Sequence, residues 1–161
     1  MDFMDVIRKR RSIRRYKPDP VPDKVLNQVL EAARLAPSDS RSQPWHFIVI
    51  KNPETKKRLG IAEWTAMAPI VIVGCTDPQV SARWHVVDLS IAFEHIVLAA
   101  ANFGLGTCWI GKLDVDETIK EALGIPKHMV VVAVTPLGYP AETPEPKERK
   151  DISEIVHYEK F

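Results

Sequence analysis

The sequence predicts one domain in which a sheet of about four strands is covered by helices on both faces. The chain has 161 residues, enough for one core and thin for two. Short, β-rich apolar runs are separated by stretches of helical periodicity. Their alternation is too loose for a strict repeat of strand and helix.

Taken in order, residues 3–10 place Phe3, Val6 and Ile7 at helical spacing, and the prolines of SIRRYKPDPVP then force an extended loop. Pro22 and Asp23 suit a helix start, and Val25, Leu26, Val29, Leu30, Ala33 and Leu35 repeat with helical period until Pro37. The polar loop SDSRSQP leads into a buried strand, Trp45–Ile50. A short helix over 53–62 and a second apolar strand from Ala68 to near Asp77 follow. Residues 80–103 read as the longest and most central helix, stopped by Gly104. Then come a strand at Thr107–Gly111, an amphipathic helix over 116–124, and a fourth strand in MVVVAVTPLGY. The proline-rich, charged tail from Pro140 lies across a surface.

Bulk properties exclude several classes. Charged residues make up 27% and the net charge is +1, so no global field draws the chain to nucleic acid or an anionic membrane. Cys75 and Cys108 lack the spacing of a zinc site or redox pair. No apolar run reaches the ~20 residues that span a bilayer, and the start does not read as a signal peptide. The expected address is the cytoplasm. A Rossmann fold is disfavoured because Gly104-Leu105-Gly106 follows a helix and precedes a strand, the reverse of a phosphate-cradling loop.

Four segments carry candidate chemistry, each with a plain structural alternative. Arg8–Arg15 by itself suits a solvated helix end, but its cations flank Ser12 at a helix-to-loop break, where guanidinium forks and a hydroxyl converge on a phosphate monoester. The loop Ala36–Trp45 is either a capped turn or a set of hydroxyl and amide groups for a polyhydroxylated ligand. GLGTCWIGK, residues 104–112, is either a bulge or a place where Gly111 brings bare backbone against a flat ring. Lys147 and Arg149, one apart in an extended tail, point to the same side and alone are a solvated pair.

Together and in this order, RRSIRRY, APSDSRSQPW, GLGTCWIG and LGYP followed by KER resemble the FMN-dependent nitroreductase family across nearly the whole chain. The resemblance implies an α+β fold: a three-layer α/β/α sandwich with a mixed, mostly antiparallel sheet of four to five strands around a long helix. It also implies a homodimer with FMN at its interface and residues 145–161 packed on the partner. The implied activity is ping-pong hydride transfer from NADH or NADPH, through flavin N5, to a small organic acceptor such as a nitro compound or quinone. By this likeness Arg10, Ser12, Lys147 and Arg149 hold the phosphate and ribityl chain and Arg11 assists. Arg14 lies beside the pyrimidine edge. Pro37, Ser38 and Ser40 approach from the partner subunit, Gln43 is a further cofactor-binding residue, and Ile110 and Gly111 face N5. A cation near N1 and O2 stabilises the reduced flavin, and the cofactor carries the chemistry without a triad or metal.

The chain departs from the family pattern at Arg41, where an asparagine is common, and in lacking an asparagine near Gly60–Trp64. Contacts to the pyrimidine edge and acceptor choice are open at these points. Other readings also stand: a relative that consumes its flavin or removes halogen, a flavin-binding protein without turnover, and a basic nucleic-acid module that the near-zero net charge disfavours.

Overall fold

The computed structural model describes residues 2–111 and 116–161. Its elements are α1 (Phe3–Lys9), α2 (Asp23–Arg34), β1 (Trp45–Ile50), α3 (Pro53–Arg58), α4 (Glu63–Ala66), β2 (Ile70–Thr76), α5 (His85–Asn102), β3 (Gly106–Thr107), α6 (Asp116–Leu123) and β4 (Val130–Gly138). The strands form an antiparallel sheet in the order β1-β2-β4-β3. A parallel bridge, Ser12 to Thr107, adds the N-terminal segment outside β3.

Every residue of β2 is buried, because helices cover both faces and a strand so placed needs a continuous apolar run. Successive side chains alternate between the layers. Ile70 and Ile72 join Val29 and Ala33 of α2 and Leu89, Phe93 and Ile96 of α5. Val71, Val73 and Cys75 meet Leu59 and Ile119 on the opposite face. Between Gly74 and Cys75 the pairing with β4 slips, so Val131 and Val134 both reach the second layer although they lie three apart. This is the helix–sheet–helix α+β architecture that the resemblance implies. Among the described residues, no helix is long and apolar enough to cross a membrane.

The helix stop at Gly104 has a direct cause: its φ is +74°, a conformation that glycine adopts without strain. Four other expectations change. The helix over 53–62 ends at Arg58, and a separate turn, α4, follows once Gly60 takes φ +68°. The long helix starts at His85 rather than near residue 80, because the Asp77 carboxylate holds a turn by accepting the Gln79 N–H at 2.8 Å. β1 is an edge strand buried only at Trp45 and Ile50, not a buried strand, because it pairs on one side alone. The strand expected at Thr107–Gly111 is two residues long, Gly106–Thr107, with a single further bridge from Ile110 to Val134.

Candidate functional site

Extended backbone after α1 organises the charged run. Arg10 leaves the helix with φ −54° and ψ 131° while its N–H still donates to Val6 O. Ile13 N–H donates to Thr107 O at 2.8 Å and Lys17 N–H to Tyr139 O at 2.8 Å, holding the segment between β3 and the stretch after β4. Alternation along this strand turns Ile13 into the core and leaves Ser12 and Arg14 on the other face. The close fit depends on glycine: a Cβ on Gly106 would lie 2.7 Å from Ile13 Cγ1, and one on Gly138 would lie 2.6 Å from Pro69 Cδ.

Opposite this strand, residues 144–149 form neither helix nor strand. The two segments enclose a cavity of about 590 Å³. From the first come Arg10, Arg11, Ser12 and Arg14, and from the second Lys147 and Arg149. Guanidinium forks, an ammonium and a hydroxyl form the donor set of a phosphate or similar oxyanion. Arg11 differs from its neighbours: its Nη1 donates to Arg8 O at 2.6 Å and Arg10 O at 2.8 Å, tying down the end of α1. Its buried Nε has no partner among the described residues. Arg14 lies over the Trp64 ring, 5.9 Å from its centroid, which gives Trp64 a contact that the sequence left unassigned.

Burial pushes the Cys108 thiol up, and Arg14 and Ser12 act in the lowering direction. Burial also raises Tyr16, whose hydroxyl donates to Ile13 O. Glu142 moves the other way: the Arg14 backbone N–H, then Arg15, hold its carboxyl below the usual range.

The polar loop lies elsewhere. Asp39–Arg41 make one tight turn, and Ser40, Arg41 and Gln43 have φ of +48°, +59° and +49°. Such backbone is costly outside glycine and persists only where surroundings enforce it. Ser38 Oγ accepts the Gln43 N–H at 3.0 Å, and buried Asp88 Oδ1 accepts the Asp39 N–H at 3.0 Å. Pro37, Ser38, Ser40 and Gln43 therefore sit at the start of α5, and none of them lines the basic cavity. Arg10 and Arg11 also line a smaller recess that includes Ala101 and Gly104, near the other end of that helix. At ~1.5 Å per residue, Asp88 and Ala101 are about 20 Å apart along the axis.

Ile110 exchanges both backbone bonds with Val134, at 2.9 and 3.0 Å, and thereby fixes the approach to Gly111. The flat ring nearest Gly111 within this chain is Trp109, since a Cβ at Gly111 would lie 3.3 Å from Trp109 Nε1. Trp109 itself packs edge-on against Phe93 at 4.8 Å. Lys112, the last residue of GLGTCWIGK, lies outside the described residues.

Sequence reasoning missed Asp88 and Glu142. A carboxylate in the first turn of an otherwise apolar helix is a usable signal for Asp88, since Asp is seldom buried unpaired. For Glu142 the partners lie about 127 residues away, and no local pattern points to them.

The sequence profile of the nitroreductase family matches residues 7–72 and 60–139. A protein of Methanothermobacter thermautotrophicus, provisionally named NADH dehydrogenase/NAD(P)H nitroreductase, is 38% identical over all of this chain and 88% of its own length. The solved structure of an FMN-dependent nitroreductase from Clostridium difficile superposes with a TM-score of 0.88 at 33% identity, covering 98% of this chain and 99% of that one. Iodotyrosine deiodinase 1 of Rattus norvegicus is 28% identical over 96% of this chain and 68% of its own. With the fold, the ordered motifs and these likenesses in agreement, the chain belongs to the nitroreductase family.

Proposed function

We propose that this protein is an FMN-dependent oxidoreductase that takes hydride from NADH or NADPH and passes it to a small organic acceptor. The observation that carries the reading is the basic cavity, in which Arg10, Ser12, Arg14, Lys147 and Arg149 meet from both ends of the chain. Its donors fit a phosphate monoester, and its volume of about 590 Å³ leaves room for part of a larger ligand. The named nitroreductase from Clostridium difficile supports FMN as that ligand, and the archaeal relative's name supports a nicotinamide donor.

Bound FMN would supply two-electron chemistry, accepting and releasing hydride in a ping-pong cycle. Arg10, Ser12, Lys147 and Arg149 hold the phosphate and ribityl chain, with the free Nε of Arg11 as an added donor. Arg14 supplies positive charge that favours the reduced, more negative state, and its contact with Trp64 restricts where that charge sits. Gly111, held in place by the backbone bonds of Ile110 to Val134, presents backbone without a side chain, so a planar donor or acceptor has access.

Pro37, Ser38, Ser40 and Gln43 serve the site of a second copy. Their place at the other end of α5 from the recess beside the basic cavity supports this reading. Apolar side chains also lie exposed on Phe3 and Ile7 of α1, Val87 and Ile91 of α5, and Ile152, Ile155, Tyr158 and Phe161 of the tail. Apolar exposure on this scale marks a surface made for association, and a twofold homodimer covers it with two equivalent sites. The chain acts as a single domain, with residues 145–161 laid on the partner.

The test is direct. The purified protein should be yellow or take up FMN, and NADH or NADPH should bleach it without oxygen. A chain that binds no FMN, or a bound flavin that neither nucleotide reduces, overturns the proposal. The likeness to iodotyrosine deiodinase favours one second reading, reductive removal of halogen from an aromatic ring. Product analysis with halogenated and nitro aromatics separates the two.

A further inference from the structure

We propose that Glu142 is a positioning residue for anion binding, joining the Arg10–Arg14 segment to the Lys147–Arg149 segment so that both face one cavity. The proposal rests on the phosphate-site reading above. Glu142 Oε1 accepts the backbone N–H groups of Arg14 at 2.6 Å and Arg15 at 3.2 Å, and Oε2 accepts from Arg15 Nε at 3.1 Å. Its side chain is only 19% exposed. These are charge-assisted bonds, among the stronger ones a surface segment can make.

Their position along the chain gives them their effect. Lys17 N–H donates to Tyr139 O, and Ala141 N–H donates to Arg15 O at 2.9 Å, so a short antiparallel ladder runs from Tyr139 to Ala141. Glu142 is the next residue, and its carboxylate extends the ladder through its side chain. Thr143 and Pro144 then lead into the stretch that lines the cavity, where Pro144 and Pro146 restrict the backbone and carry Lys147 and Arg149 back toward Arg10. Pro144 also lines the smaller recess beside Glu142 and Arg10. The direction taken by residues 144–149 is thus set at Glu142.

Charge alone makes the opposite prediction. A carboxylate beside a cluster of cations lowers their attraction for an anion through space, so removing it should tighten binding. A clamp that holds those cations in place should weaken binding when it is cut. The sign of the change therefore separates the two roles.

The experiment measures the affinity of the full-length protein for FMN and for inorganic phosphate in wild type, Glu142→Gln and Glu142→Asp. Glutamine keeps the shape and loses the charge, and roughly tenfold weaker binding of both probes is expected. Aspartate keeps the charge on a shorter arm and should recover part of the loss. Unchanged or tighter binding in Glu142→Gln overturns the proposal. If wild type binds neither probe, the phosphate-site reading falls as well, a result seen without any substitution. Hydrogen exchange on wild type adds a check independent of how the variants fold: the Arg14 and Arg15 amides, on exposed residues, should be protected, and free exchange overturns the clamp.

Discussion

The buried carboxylate of Asp88 accepts the backbone N–H of Asp39 at 3.0 Å, which fastens the strained loop Ser38–Gln43 to the first turn of α5. Its second oxygen lies 3.4 Å from Ser81 Oγ, within reach as an acceptor. Replacing Asp88 with alanine removes a charged acceptor from the Asp39 amide at a part-buried bond and should cost about 1–3 kcal/mol. Urea unfolding of the variant beside wild type measures it. Because the loop is proposed to reach the partner's site, FMN affinity of the dimer should fall as well.

Arg149→Ala removes an exposed cation that lines the basic cavity. Loss of one charged hydrogen-bond partner predicts FMN binding weaker by about 10-fold or more. Thermal stability without flavin should stay within about 0.5 kcal/mol of wild type, as for most surface substitutions. Flavin fluorescence titration and melting curves read the two effects separately, and Lys147→Ala should behave alike.

Gly138→Ala tests the close passage of the N-terminal segment. The added Cβ meets Pro69 Cδ at 2.6 Å and Tyr16 Cδ1 at 3.3 Å, and a proline ring cannot swing aside as a flexible side chain can. Overpacking of this kind costs about 1–3 kcal/mol, read as a lowered denaturation midpoint.

Acid should weaken the fold through Glu142. Its carboxyl is held low by the Arg14 N–H first and by Arg15 next. A carboxylate depressed in the folded state gives its full contribution above the pH at which an ordinary glutamate protonates. That contribution is lost as pH falls through its own lower value. The difference in melting temperature between wild type and Glu142→Gln should therefore be largest near neutrality and shrink in acid, in a series of melts at stepped pH.

Removing residues 152–161 deletes Ile152, Ile155, Tyr158 and Phe161, whose side chains pack on little of their own chain. The truncated protein should fold but associate more weakly, with a larger share of monomer in sedimentation velocity at micromolar concentration.

Much of the architecture was legible because periodicity and burial are local signals. Ile70–Thr76 read as a strand since a sheet covered on both faces demands apolar residues at each step. Val29 and Ala33 read as a helix face for the equivalent reason. Boundaries were less legible where long-range partners set them. The shortness of β3 depends on pairing with Gly138 and Leu137, and the bulge at Gly74/Cys75 leaves no mark in composition.

The order of motifs was enough to assign the family, and alternation was enough to put Lys147 with Arg149 on a common side, since this follows from neighbours two positions apart. That this pair shares one cavity with Ser12 and Arg14, that Arg11 turns back on its own helix, and that Glu142 and Asp88 hold the flanking segments were decided by the tertiary fold. Hydrogen bonds between residues 49 or 128 positions apart exist only once the sheet and α5 have brought those backbones together.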